Sequence, residues 1–215
     1  MATNNPEKIF NMALSFDFAG RLLRQHTNTR FMNEGSVGDR IAIRNVASAP
    51  GIAASAVNSA FALELYLKCL LTLTGGTAPR GHKLKFLFDA LPDSQRQVIR
   101  AKYESLFVGI DLKDDWLLPS ERPDGTPIDP SYYGFDQVLE RLSSSFEDWR
   151  YLYEKTSYLN FSCQFHLAIS MQTAIINLRP DWKNIIDGIG EPPILIDPEN
   201  PVQTEKILAY LRNFR

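Results

Sequence analysis

The chain has 215 residues, 44% of them hydrophobic and 22% charged, with a formal net charge of −2 at pH 7. This is the make-up of an ordinary globular protein of one large domain, and the near-neutral balance excludes any global attraction to nucleic acid, so such binding would need a local basic patch. Cys69 and Cys163 both sit inside apolar helical patterns, which points to buried thiols in a reducing compartment rather than to a disulfide. The opening MATNNPEKIF has no basic stretch followed by an apolar run, so no signal peptide is expected. The apolar run at residues 60–73 contains Glu64 and Lys68 and reads as too short and too charged to span a bilayer. A cytoplasmic protein with no membrane partner is the expectation.

In chain order, Asn5-Pro6-Glu7 opens a helix, with Asn as cap and Pro in the first turn. It runs through Ile9, Phe10, Ala13 and Leu14 to Leu22 and Leu23 and is expected to fade before Thr27-Asn28-Thr29. Residues 33–39, with Gly35 and Gly38, read as loop, and a short helical piece around residues 41–46 ends before Pro50. The central helix begins near Ala53 and stops at Gly75-Gly76. It is apolar almost all round; only Glu64, Lys68 and Thr72, four residues apart, draw a polar line along it. A second helix, opened by Gly81-His82, carries Leu84, Leu87, Phe88 and Leu91 up to Pro92. Asp93 or Ser94 is expected to cap the next helix, with Gln97 completing a capping box, and that helix carries Val98, Ala101 and Leu106.

Residues 108–134, with Pro119, Pro123, Pro127 and Pro130, read as a long irregular surface loop. Helical spacing returns with Phe135, Val138, Leu139, Leu142 and Phe146. A last long helix is predicted from about Ser157 to Leu178, with Leu167, Met171, Ala174, Ile175 and Leu178 on one face and Phe161, Phe165 and Ile169 on another. Pro180 ends it, and a Pro-rich link at residues 191–201 leads to a short helix with Ile207, Leu208 and Leu211. Only residues 194–196 look strand-like. The predicted architecture is all-α: an antiparallel helical bundle of four to five core helices with a Pro-rich loop insertion, one domain whose core covers about residues 53–178, followed by an extension over 180–215.

Several chemistries find no support. The three histidines, His26, His82 and His166, are far apart, two cysteines make no zinc spacing, and the phosphate-loop, dinucleotide and nucleophile-elbow motifs are absent. Asp111, Asp114 and Asp115 lack the alternation and glycine of a calcium loop. No metal and no cofactor is expected. Four features remain as site candidates, each with a structural alternative. Glu64 and Lys68 stand in the favourable i, i+4 order, worth roughly 0.3 kcal/mol when exposed, and either mark the helix's wet edge or face a cleft or partner. Arg80, His82, Lys83 and Lys85 cluster at a helix start, where backbone N–H groups and partial positive charge suit a phosphate; otherwise they are a solvated turn. Arg21 and His26 combine an anion holder with a proton carrier, as a metal-free ribonuclease needs, on a helix where chance also explains them. In EDWRYLYE, Trp149, Tyr151 and Tyr153 could stack bases and Arg150 bind phosphate, or the aromatics continue the core.

The segment SAFALELYLKCLL…RGHKLKFLFDALP resembles the HEPN family of helical proteins. The shared pattern is an apolar helix carrying Glu64 and Lys68, a turn of small residues, and a Gly81-His82-x-Leu84 start to the next helix; the WRYLYE stretch is similar to bacterial members. The resemblance is close over residues 59–92 and loose over 53–178. It implies a bundle of four or five helices, often a homodimer, and a role as RNA-cleaving toxin, phage-defence or stress-response effector, or nucleotide- or RNA-binding partner of another protein. Nuclease members carry Arg, four to six residues, then His at the start of a late helix. Here Arg150 is the late arginine, the next histidine is His166, and Arg21–His26 has the spacing in the wrong helix. The expectation is a dimeric module that binds nucleotide, RNA or a protein partner, with a metal-independent endoribonuclease, or a purely structural partner in a toxin–antitoxin or defence pair, as the alternatives.

Overall fold

The computed structural model describes residues 5–34, 51–75, 80–108, 126–143 and 163–189, with side chains of the first helix described as far as residue 24. Among these residues the backbone forms α1 (Pro6–Glu34), α2 (Ile52–Leu73), α3 (Leu84–Asp89), α4 (Asp93–Ser105), α5 (Phe135–Leu142), α6 (Gln164–Leu178) and α7 (Lys183–Ile189), with 3-10 turns at Pro130–Tyr133 and Pro180–Trp182 and no strand. The fold is all-α.

Asn5 caps α1: its Oδ1 accepts from the backbone N–H of Glu7 at 3.0 Å and of Lys8 at 3.3 Å. The helix does not fade at Thr27 but continues to Glu34. After Gly20 no glycine or proline occurs before Gly35, and once nucleated each added residue gains a hydrogen bond, so weak formers such as Thr and Asn do not end it.

Gly20 sets how closely α1 and α2 approach. Ser55 Oγ donates to the Gly20 carbonyl at 2.7 Å, and a Cβ on Gly20 would stand 2.6 Å from Ser59 Oγ and 3.1 Å from the Ser55 carbonyl oxygen. Pro6 meets Cys69 at one end of this seam and Gly20 meets Ser55 at the other, so the two helices run antiparallel. Gln164 reaches Ala56 and Gln172 reaches Tyr66, so α6 runs in the direction of α2 and against α1. Gly20→Val is expected to force the helices apart and cost about 2 kcal/mol in urea denaturation, and Gly20→Ala less, because the Ser59 hydroxyl can rotate and Ala favours helix.

The core extends beyond residues 53–178 at both ends. Phe10, Ala13 and Leu14 of α1 pack with Leu63, Tyr66, Leu67 and Leu70 of α2, Leu167, Met171 and Ile175 of α6, and Trp182 beyond it. Phe135, Val138, Leu139 and Leu142 of α5 are all buried, as their spacing predicts. By length and composition alone Ala53–Leu73 of α2 could cross a membrane, but 67% of its most apolar stretch is buried inside this fold.

Other expectations shift. α2 ends as predicted, at Thr74 and Gly75, whose φ of +81° suits glycine. α3 starts at Leu84 rather than at Gly81-His82, because Gly81 has φ +125° and lies outside any helix. α4 begins at Asp93, with Pro92 before it and no side-chain cap, so Ser94 falls inside the first turn and the capping box does not form. Its buried face is Ile99 and Tyr103, while Ala101 is exposed. The end of the Pro-rich region is packed rather than surface loop: Asp129 caps the turn at Pro130–Tyr133, Tyr133 is buried, and Tyr103 Oη donates to its carbonyl at 2.8 Å. α6 starts at Gln164, not Ser157, because Cys163 has φ +70°, which a right-handed helix cannot pass through. α6 ends at Leu178, just before Pro180 as expected, and Trp182 and α7 follow it within the fold. The helices expected around 41–46 and 207–211, and the aromatic segment 147–154, lie outside the described residues. Cys69 and Cys163 are buried thiols with no disulfide between them. Burial pushes the Cys69 thiol up to about 12, and its Sγ lies 3.4 Å from the Pro6 carbonyl.

Candidate functional site

The polar line on α2 becomes a charged cluster once the chain turns back at Gly75 and Gly81. Glu64 is only 1% exposed. Its Oε1 accepts from Lys68 Nζ at 2.7 Å and its Oε2 lies 2.8 Å from His82 Nδ1. One buried carboxylate thus holds a cation one helical turn on and an imidazole from the segment before α3. The Lys68 side chain is 23% exposed and that of His82 47%, so the cluster opens to solvent on the cationic side. Thr72 takes no part; its hydroxyl donates to the Lys68 carbonyl at 2.8 Å. The line is therefore not one wet edge, because its first member is a core residue.

Arg80 and Lys83 are exposed beside this cluster and form no ion pair among the described residues. The α3 N-terminus does not offer the open donors expected of it. Leu84 N–H donates to the Ser143 carbonyl at 3.2 Å and Lys85 N–H to Ser143 Oγ at 3.1 Å, while Lys85 Nζ pairs with Asp89 at 2.7 Å. Ligand contacts here would come from side chains rather than from the helix end.

A second polar cluster lies where α1, α2 and α6 meet. Asp17, 3% exposed, receives Gln172 Nε2 at 3.1 Å, Tyr66 Oη at 3.4 Å and Arg21 at 3.4 Å on the same Oδ2; Gln172 Nε2 also donates to Tyr66 Oη at 2.6 Å. Burial raises the Asp17 carboxyl above the usual range, opposed by the Arg21 guanidinium. Burial likewise drives the Tyr66 hydroxyl well up, with the Asp17 charge adding to it. Farther along the seam, Arg24 donates to Gln164 Oε1 at 3.4 Å, and Gln164 Nε2 to the Ala56 carbonyl at 3.4 Å.

His166 is a core residue. It is 3% exposed, stacks on Phe107 at 4.7 Å and meets Tyr103 edge-on at 6.3 Å. Burial, with Arg24 nearby, brings its pKa down to about 4, so the ring is neutral at pH 7. Arg21 goes to Asp17, and the His26 side chain, Arg150 and Tyr151 lie outside the described residues. The structure thus brings Glu64, Lys68 and His82 together with Arg80 and Lys83 beside them, and holds Arg21 and His166 in other surroundings.

Sequence reasoning passed over Asp17, Tyr66, Gln164 and Gln172. One signal was available: Asp17 follows Phe10, Ala13 and Leu14 at helical spacing, an acid inside an apolar stripe. Among the described residues no group of three or more His, Cys, Asp or Glu could hold a metal ion. In comparisons with known proteins, no family model matches the chain, and no curated protein or solved structure matches it.

Proposed function

We propose that the chain is a HEPN-like helical module that forms a homodimer and binds a phosphate-bearing ligand, nucleotide or RNA, in the cytoplasm, within a stress-response, toxin–antitoxin or phage-defence system. The supporting observation is the Glu64 cluster: a buried carboxylate that fixes Lys68 and His82, with Arg80 and Lys83 exposed beside them. A carboxylate in this position orients Lys68 and His82 while offsetting the lysine's charge, and the exposed Arg80 and Lys83 supply the positive charge of this edge. A protein partner in place of the phosphate ligand, or a purely structural role, has no comparable feature behind it among the described residues.

A second reading, a metal-independent endoribonuclease, is favoured by one contact. A carboxylate on His82 Nδ1 is the arrangement that orients an imidazole for proton transfer. His166, neutral and enclosed by aromatic rings, lends it nothing. One set of samples tests both. Light scattering should give twice the chain mass, and calorimetry with ATP and short RNA should show binding that weakens in Arg80→Ala and Lys83→Ala. A monomer that binds neither ligand would overturn the proposal. Cleavage of total RNA in EDTA, lost in His82→Ala and kept in His166→Ala, would move the reading to the nuclease.

A further inference from the structure

We infer that the edge from Arg80 to Phe86 is a docking surface for single-stranded nucleic acid, with Phe86 as the platform on which a base stacks. The inference rests on the proposed phosphate-binding edge and names its ligand class.

Phe86 is 56% exposed, while Leu84, Leu87 and Phe88 of the same short helix are buried. Packing of α3 therefore uses the other three apolar side chains and leaves this aromatic ring on the surface. Lys83, exposed and extended just before the helix, stands three positions ahead of it in the chain. Arg80 and Lys83 are exposed and unpaired among the described residues, whereas the other cations nearby are neutralised, Lys68 by Glu64 and Lys85 by Asp89. The edge thus carries a local positive excess on a chain whose net charge is −2. The hold of Glu64 on His82 fixes the course of the segment that presents both cations.

Unpaired cations beside an exposed aromatic ring match what a single strand offers, phosphates at regular intervals and bases with open faces. A mononucleotide binds best in a concavity that covers most of its surface, whereas these side chains stand exposed. A membrane surface would call for a broad apolar face, and Phe86 is the one large apolar side chain exposed on α3.

Fluorescence anisotropy with labelled oligo(U) and oligo(dT), at several salt concentrations, tests this. Wild type should bind, and Phe86→Ala should weaken affinity about ten-fold while Phe86→Trp retains it. Arg80→Ala and Lys83→Ala should each lower the slope of log affinity against log salt by about 0.7. Preference for oligo(U), repeated against oligo(dU) so that only the 2′-hydroxyl differs, would assign RNA, and equal binding a strand of either kind. Phe86 is exposed, so its variants should fold, which circular dichroism checks. Unchanged oligonucleotide affinity in Phe86→Ala, or binding to anionic vesicles in place of oligonucleotides, would overturn the inference. If oligonucleotides fail but ATP binds and Arg80→Ala weakens it, the inference falls and the phosphate-site reading stands; if neither binds, both fall.

Discussion

Asp17→Ala is expected to destabilise the fold by about 3 kcal/mol, mainly through buried hydrogen bonds left unmade, because Arg21 is 28% exposed and can resolvate once its partner is gone. The substitution leaves Tyr66 Oη and Gln172 Nε2 each short of an acceptor at the meeting of α1, α2 and α6. Asp17→Asn keeps an oxygen in that place and should stay within about 1 kcal/mol of wild type. The two variants also separate hydrogen bonding from charge. Burial raises the Asp17 carboxyl above its ordinary 3.8, so the folded state holds the proton more tightly than the unfolded chain does. The stability contributed by protonated Asp17 is fully present below 3.8 and is lost as pH rises through the higher folded-state value. Relative to Asp17→Asn, wild type should therefore lose stability on going from acid towards neutral pH. Urea midpoints across that range check the sign; a wild-type protein that gains on the Asn variant as pH rises would contradict it.

Trp182→Ala should cost about 3–5 kcal/mol, with the melting temperature falling by about 10 °C for a chain of this size. Trp182 is 3% exposed, stacks on Phe10 at 5.2 Å and an interplanar angle of 20°, and carries the Arg179 guanidinium 4.4 Å above its ring. It closes the end of the bundle where α1 begins, so its loss opens a cavity next to Phe10 and Tyr66. Trp182→Phe preserves a ring against Phe10 and should lose less than half as much. Thermal unfolding followed by circular dichroism measures both. A loss under 1 kcal/mol for the alanine variant would show that the segment after Pro180 is not integral to the fold.

Some local signals, where a residue acts through its own backbone or immediate neighbours, were read correctly, whereas the Ser94 capping box and the fade of α1 before Thr27 were not. Asn5 caps, Gly75 stops α2, and the four apolar residues of α5 face inward because these outcomes follow from hydrogen-bond geometry and helical spacing within a few residues. Errors came where a boundary depends on a single dihedral angle or on contacts from elsewhere in the chain. Cys163 in the left-handed region truncates a helix that the apolar pattern would extend, and nothing in its chemistry announces that angle. Trp182 looked like part of a tail after Pro180, because a stacking partner 172 positions earlier, Phe10, leaves no trace in spacing.

By itself the sequence determined the all-α class, the apolar central helix and the residue types that make the Glu64 cluster, since helical periodicity and the Glu64–Lys68 interval are properties of one segment. Only the tertiary structure decided what that cluster is. Glu64 is a buried anchor instead of a wet edge because the chain brings His82, 18 positions on, back to it, and the α3 amides are closed to an anion because Ser143 caps them from a distant segment. Burial and partner choice arise from contacts between segments far apart in the chain, and the same contacts set Asp17 among Tyr66, Gln172 and Arg21 and leave Phe86 exposed on α3.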